Sequence, residues 1–181
     1  EIIKFKNYIC FNALHGTFGE DGKVQKILKK NNIKFTHSDH KSSKNCFDKI
    51  YTKQLILNKN ILTPKYSIIN KKDLNVQKLI DLKNIYKKFV IKPTNSGSSY
   101  GIRIIKNNND LNNFIKKITN YKKELLHSKI LVEEFIVGKE LTVSTTNFFK
   151  KIEALAVTEI TTKNHFFDYK AKYTKGYSKH I

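Results

Sequence analysis

The sequence predicts a mixed α/β (α+β) fold, and three patterns indicate it. Over residues 8–36, an apolar run, an amphipathic stretch and a second apolar run follow one another, which is the order of a βαβ unit. Over residues 89–105, a strand, a glycine-rich loop and another strand are predicted. Two β-prone runs at 140–149 and 152–160 predict an antiparallel pair.

The first unit begins with residues 8–14, which are apolar enough to predict a buried strand, with Cys10 as a small buried hydrophobe. The strand ends at His15, in a glycine-rich loop. Asp21 opens a helix with its apolar side chains on one face, and residues 33–36 return as a short strand. Because α/β proteins usually bind ligands at such strand ends, the loop is a candidate site.

Apolar spacing and capping residues predict three further helices and four further strands. The first of these helices begins at Ser43, the second covers residues 74–82, and the third begins at a cap formed by Asp110. The strands cover residues 66–69, 89–92, 101–105 and 130–136. Strands and helices therefore follow one another along the chain, without a repeat or a disordered linker.

The segment VIKPTNSGSSYG, residues 90–101, has the most informative pattern in the chain. Pro93 stops the strand directly after Lys92, so we expect the Lys92 ammonium group at a strand end. The glycines and serines that follow allow the backbone to turn sharply and to direct several N–H groups at one anion. The functional interpretation is a flap over a nucleotide.

The same segment is also typical of a simple hairpin turn. It differs from the P-loop pattern, in which the lysine follows the glycines and opens a helix. The loop alone therefore leaves phosphate binding and a plain turn as alternatives.

The charge balance suggests nucleic-acid binding as another alternative, since 35 Lys and Arg against 15 Asp and Glu give a formal net charge of +20. Arg103 is the only arginine, however, although arginine is preferred for bidentate contacts to phosphates and bases. The lysines are spread along the chain without a nucleic-acid-binding motif. We interpret the charge as a lysine-rich bias that favours solubility and attracts anionic ligands.

Cys10 and Cys46 are far apart and form no CxxC pair, which is typical of a reducing cytosol. No run approaches the ~18 apolar residues that crossing a bilayer requires, so we expect a soluble, cytoplasmic protein with no membrane partner. Glu1 leads directly into a strand-like segment, which we interpret as a cut edge rather than a signal peptide.

Four segments carry polar and charged residues that suit one site. They are HGTFGEDGKVQ at 15–25, VIKPTNSGSSYG at 90–101, LVEEFIVGKELT at 131–142 and FFDYKAKY at 166–173. In order and spacing, over essentially the whole chain, they resemble the D-alanine–D-alanine ligase family of ATP-grasp enzymes.

The resemblance implies a partial ATP-grasp fold in three parts. Residues 1–38 would be the remnant of an amino-terminal substrate-binding α/β domain with a truncated βαβ unit. Residues 39–133 would be the central subdomain with the phosphate loop, and residues 134–181 the start of a truncated carboxyl-terminal subdomain with a mobile lid.

The resemblance also implies an ATP site. Lys92, and Lys49 within FDKIYTK, match lysines that contact nucleotide phosphates, and Glu133 and Glu140 match acidic residues around the adenosine. Glu140 is expected at the ribose, because a carboxylate accepts two hydrogen bonds from neighbouring hydroxyls. The implied ATP-binding residues are Lys49, Lys92, Gly97, Ser98, Ser99, Glu133, Glu140 and Lys172. The residues alone leave two interpretations of Lys49 open, a phosphate-binding lysine and a lysine exposed to solvent.

The resemblance assigns catalytic roles to Ser98, Tyr173 and Lys172. Ser98 and Tyr173 match two members of a hydrogen-bonded triad, while the third, a glutamate, has no counterpart in this chain. Lys172 resembles a loop lysine that reaches the transferred phosphate, which would make residues 161–180 a lid. His15 matches a histidine near the substrate carboxylate and is the expected substrate-binding residue.

The implied activity is ATP-dependent joining of two D-alanines to D-alanyl-D-alanine through an acyl phosphate, for peptidoglycan synthesis. ATP and Mg²⁺ (or Mn²⁺) are the implied cofactors, D-alanine is the substrate, and a homodimer is an implied assembly. Since the family's metal ligands lie in a segment beyond Ile181, we expect no metal ligand in this chain and little or no ligase activity from it alone. The alternative is another ATP-grasp reaction that joins a carboxylate to an amine or a hydroxyl, for example the joining of D-alanine to D-lactate. Lys170 and Ser96 depart from the family pattern, which usually has acidic residues there.

Overall fold

The computed structural model of the chain describes residues 2–126, 128–147, 151–163 and 167–181. The chain forms two compact units, Glu1–Phe135 and Ile136–Ile181. The finer division of the first unit at residue 38 stays a prediction. None of the helices in the described ranges is long and apolar enough to span a membrane.

The first unit begins with the predicted βαβ arrangement. Strand β1 (Ile9–Cys10) pairs in parallel with β2 (Lys34–Phe35), and helix α1 (Lys23–Lys30) lies between them in the chain. The prediction of a buried strand over residues 8–14 is wrong, because β1 has only two residues and the apolar side chains around it are exposed. Cys10 is half-buried rather than buried. A sheet of two short strands offers too little surface to cover these side chains on both faces.

Two helices follow, where one helix beginning at Ser43 was predicted. They are α2 (His40–Phe47) and α3 (Lys49–Leu57). The break lies at Asp48, whose backbone is extended and whose carboxylate accepts the N–H groups of the first turn of α3. An aspartate in this role stabilises a new helix start, and so α3 begins at Lys49.

A four-stranded antiparallel sheet, in the order β3-β6-β4-β5, forms the centre of the first unit. Its strands are β3 (Tyr66–Asn70), β4 (Phe89–Pro93), β5 (Arg103–Ile105) and β6 (Lys129–Glu134), and its helices are α4 (Val76–Tyr86) and α5 (Asn108–Glu124). The helices and strands share one core, in which Leu79, Phe89 and Ile91 are fully buried. The four strands agree with the predicted ones to within two residues at each end.

Helix α5 begins at a capping box. The Asn107 side chain accepts the Asp110 N–H at 2.9 Å, and the Asp110 carboxylate accepts the Asn107 N–H at 3.2 Å. The prediction that Asp110 is the cap is therefore wrong, because this aspartate lies inside the first turn. A carboxylate there satisfies a free N–H just as a cap does, so the sequence signal is similar.

The second unit contains the predicted antiparallel pair and one further strand. Strand β7 (Glu140–Thr146) pairs with β8 (Glu153–Thr162), which also pairs with β9 (Ser178–His180). Helix α6 (Tyr169–Tyr173) lies between β8 and β9 in the chain. The predicted end of the first strand at Phe149 and the first residue of the motif at Phe166 lie outside the described residues.

We expect Phe89→Ala to lower the free energy of unfolding by about 3–5 kcal/mol, because it leaves a cavity in the core of the sheet. Ile85→Ala on α4 is the matched control, since Ile85 is 65% exposed, and it should change stability by no more than about 0.5 kcal/mol. Urea unfolding followed by circular dichroism measures both values. Equal losses in the two variants would contradict the assigned core.

Candidate functional site

Glu133 lies within the central sheet with both carboxylate oxygens paired with lysines. The residue is 5% exposed and sits on β6, opposite Tyr66 of β3 on one side and Val90 of β4 on the other. Its Oε1 accepts a hydrogen bond from the Lys53 Nζ at 2.6 Å, and its Oε2 forms an ion pair with the Lys92 Nζ. Glu133 is therefore a buried residue of a central strand and does not lie at an exposed edge of the sheet.

Lys92 reaches Glu133 because of the strand register. Val90 is directly opposite Glu133, and Lys92, two residues further along β4, points to the same face of the sheet. Side chains that are diagonal neighbours in this way are close enough to pair when they are long. The Lys92 side chain is 23% exposed and that of Glu133 is 7% exposed, so Lys92 is only partly buried beside its partner.

Lys49 connects α3 to the glycine-rich loop. Its backbone N–H donates to the Thr94 carbonyl at 3.0 Å, and its Nζ donates to the Ser96 carbonyl at 2.6 Å. Burial, and then the neighbouring Lys92 ammonium, lower the pKa of Lys49 from 10.5 to about 8, although nearby carboxylates, Glu133 foremost, oppose the shift. Lys49 is thus part of a cationic cluster and not a solvated lysine.

The loop adopts a backbone that suits small residues. Ser98, Ser99 and Gly101 have φ of 53°, 58° and 72°, in the left-handed region. A Cβ atom on Gly97 would lie 2.9 Å from the Gly16 Cα and overlap the Glu20 carboxylate. The loop therefore approaches the amino-terminal segment closely, and its turn conformation can direct N–H groups at an anion.

Tyr121 of α5 fixes the far end of this loop. Its hydroxyl donates to the Gly101 carbonyl at 2.9 Å, and its ring is almost fully buried with the Arg103 guanidinium 5.1 Å from the ring centre. Burial raises the pKa of the Tyr121 phenol, so it stays a neutral donor. Hydrogen bonds from α3 and α5 thus hold the loop near both of its ends.

His15 lies beside the loop, at a cavity of about 700 Å³. The cavity is also lined by Lys49, Ser96 and Gly97, so the structure brings the predicted substrate-binding histidine and part of the predicted phosphate site to one space. The Nδ1 atom of His15 is 3.9 Å from a carboxylate oxygen of Glu20, and the imidazole is largely exposed.

The remaining predicted site residues belong to the second unit. Glu140 is the exposed first residue of β7, and Lys172 and Tyr173 are the last two residues of α6. The Lys172 Nζ lies 5.2 Å from the centre of the Phe167 ring, and Asp168 caps the helix. The roles of these three residues and the closure of residues 161–180 as a lid stay predictions, and residues 164–166 of that segment lie outside the described ranges.

Lys53 and Glu20 also belong to the site, although neither was predicted from the sequence. Lys53 lies one helical turn after Lys49, and this spacing places both side chains on the same face of α3. That spacing was the available signal for Lys53. For Glu20, the signal was a carboxylate within a glycine-rich loop at a strand end.

In the part of the chain that the structure describes, no cluster of three or more His, Cys, Asp or Glu residues could hold a metal ion. The expectation that the metal ligands lie outside this chain stays a prediction.

A family model described as "D-ala D-ala ligase C-terminus" matches residues 55–181. Among curated relatives, the D-alanine–D-alanine ligase of Pelagibacter ubique is 40% identical over 183 aligned residues, which cover 99% of this chain and 56% of the relative. The chain spans about half the length of the curated relatives it matches.

Solved structures show the same fold, an ATP-grasp fold, over nearly all of the chain. The D-alanine–D-alanine ligase from Bacillus anthracis complexed with ATP matches with a TM-score of 0.68 and 26% identity, covering 99% of this chain and 54% of that one. VanG D-Ala:D-Ser ligase from Enterococcus faecalis matches with a TM-score of 0.71 and 29% identity, covering 96% and 49%.

We expect the Lys49 Cε resonance to titrate with a midpoint at about pH 8. Lys92→Met should raise this midpoint, because it removes a repelling ammonium group, and Glu133→Gln should lower it, because it removes a stabilising carboxylate. The exposed Lys116→Met on α5 is the control and should leave the midpoint unchanged. NMR titration of each variant gives the values, and shifts of the same sign in Lys92→Met and Glu133→Gln would contradict the cluster.

Proposed function

Because the chain belongs to the D-alanine–D-alanine ligase family, we propose that it provides the phosphate-binding part of an ATP-dependent ligase that joins two D-alanines. The observation that carries this proposal is the cluster of Lys49, Lys92 and Glu133 beside the glycine-rich loop. The cluster has an excess of positive charge in a partly buried place, which suits a triphosphate.

The chemistry explains why such a cluster is useful. A carboxylate is a poor electrophile, so an oxygen of the D-alanine carboxylate first accepts the γ-phosphoryl group of ATP, and ADP is released as the leaving group. The amine of the second D-alanine then attacks the acyl phosphate and displaces phosphate. The protein contributes alignment of the reactants and neutralisation of phosphate charge.

Each assigned residue has a role in this proposal. Lys49 and Lys92 bind phosphates, and the loop at Gly97, Ser98 and Ser99 donates N–H groups to them. Glu133 and Glu140 bind the adenosine, with Glu140 at the ribose hydroxyls. Lys172 reaches the transferred phosphate, Ser98 and Tyr173 hold the lid closed, and His15 lies near the substrate carboxylate.

Mg²⁺ (or Mn²⁺) would neutralise further phosphate charge, but no cluster of His, Cys, Asp or Glu among the described residues fits such an ion. The product is a peptidoglycan precursor, the location is the cytoplasm, and the assembly is a homodimer.

D-Serine and D-lactate are alternatives to D-alanine as the second substrate. A structural neighbour is a D-Ala:D-Ser ligase, at 29% identity, so the fold is compatible with acceptors other than D-alanine. ATP-dependent phosphate release by the whole enzyme, with D-alanine, D-serine or D-lactate as the second substrate, separates these reactions. Release that is fastest with D-alanine alone supports the proposal.

We expect Lys92→Met to weaken ATP binding by about tenfold or more, which corresponds to about 1.4 kcal/mol, because one cation of the phosphate site is lost. Lys116→Met changes the net charge equally at an exposed position of α5 and should alter the dissociation constant less than about twofold. Isothermal titration calorimetry with ATP measures both. If both variants lose affinity equally, non-specific attraction by the lysine-rich chain explains the binding instead.

The 181-residue chain should bind ATP but release little phosphate when D-alanine is added. Thermal stabilisation by ATP and a phosphate-release assay test the two parts of this statement. Robust D-alanine-dependent release by the chain alone would contradict the second part. Salt-sensitive binding to nucleic acid, without any stabilisation by ATP, would support the alternative of a nucleic-acid-binding protein.

A further inference from the structure

Lys53 is a buried lysine whose ammonium group is fully used inside the protein. Its Nζ donates to the Glu133 Oε1 at 2.6 Å, to the Thr63 Oγ1 at 2.5 Å and to the Pro64 carbonyl at 3.2 Å. It also lies 4.8 Å from the centre of the Tyr66 ring, and its side chain is only 6% exposed. Because an ammonium group has three N–H donors, Lys53 has none left for a ligand.

Lys92 differs from Lys53 in its remaining capacity. Both lysines pair with the same carboxylate, but the Lys92 side chain is 23% exposed and the Lys53 side chain 6%. Within the described ranges, Glu133 is the one ion-pair partner of Lys92. Lys92 therefore keeps N–H donors that a bound anion can accept from.

The charges of Lys53, Lys92 and Glu133 together determine how much of the positive charge of Lys92 is available to a bound anion. A lone Glu133–Lys92 pair would be neutral, and the carboxylate would repel an approaching phosphate. Lys53 brings a second positive charge to the same carboxylate, so the three groups together carry a net charge of about +1. The neutralisation takes place in a buried position, where solvent screens charges least.

We propose that Lys53 is a positioning residue that neutralises and orients Glu133, so that the charge of Lys92 remains available to a polyphosphate. This inference deepens the proposed function and rests on it, because the polyphosphate is the triphosphate of ATP. Lys53 itself does not touch the nucleotide.

A purely structural lysine would behave differently. Loss of such a residue would lower stability and leave the anion affinity of the folded protein unchanged, whatever residue stands at 133. A lysine that acts through the Glu133 charge should matter only while that charge is present. A double-mutant cycle between Lys53 and Glu133 separates the two roles.

The experiment uses tripolyphosphate as the probe, because it lacks the adenosine that Glu133 is proposed to bind. Calorimetry at about pH 6 keeps the solution well below the Lys49 pKa of about 8. Lys53→Met should weaken binding by about tenfold, and Lys53→Arg, which keeps the charge, by less than about threefold. Glu133→Gln should bind at least as tightly as the wild type, and Lys53→Met with Glu133→Gln should bind within about twofold of Glu133→Gln.

Thermal melting of every variant establishes which are folded. Lys53→Met alone could fail to fold, because Glu133 loses a buried partner. In that case the tripolyphosphate affinities of Glu133→Gln and of the double variant still distinguish a positioning role of Lys53 from a purely structural one. A tenfold gap between those two, or an unchanged affinity in a folded Lys53→Met, overturns the inference. A wild-type chain that binds tripolyphosphate but not ATP overturns the proposed function alone, and a chain that binds neither overturns both.

Discussion

The structure of the site depends on the burial of one carboxylate, that of Glu133, between two lysines from different elements. Lys53 comes from α3 and Lys92 from β4, and each takes one carboxylate oxygen. Buried charges are costly unless each has a partner, and loss of one partner of a buried pair typically costs about 3–5 kcal/mol. This constraint holds α3 against the sheet and determines where the other charged groups of the site lie.

The position of the glycine-rich loop follows from the same contact. With α3 held by Lys53, the first turn of the helix places Lys49 where both of its nitrogen donors contact carbonyls of the loop. Tyr121 holds the other end of the loop through Gly101. A loop fixed in this way presents its N–H groups without further ordering on binding, which lowers the entropic cost of holding an anion.

The sequence predicted the parts of the site that have local signals. The strand that ends at Lys92 and the strand after the loop were predicted, because apolar runs and glycines mark them. The break at Asp48 was missed, since a cap between two adjacent helices differs little from a polar residue within one helix. Lys53 was missed for a different reason. Its spacing from Lys49 places both on one face of α3, but its partner Glu133 is distant in the chain, and in a lysine-rich sequence this spacing does not distinguish a buried lysine from a solvated one.

The most direct test of the account is a crystal structure of the protein with a non-hydrolysable ATP analogue. We expect the phosphates within hydrogen-bond distance of the Lys92 Nζ and of loop N–H groups at residues 97–99, with the Lys53 Nζ still bound to Glu133. Phosphates bound elsewhere on the lysine-rich surface, or a Lys53 ammonium group that leaves Glu133 to contact them directly, would contradict it.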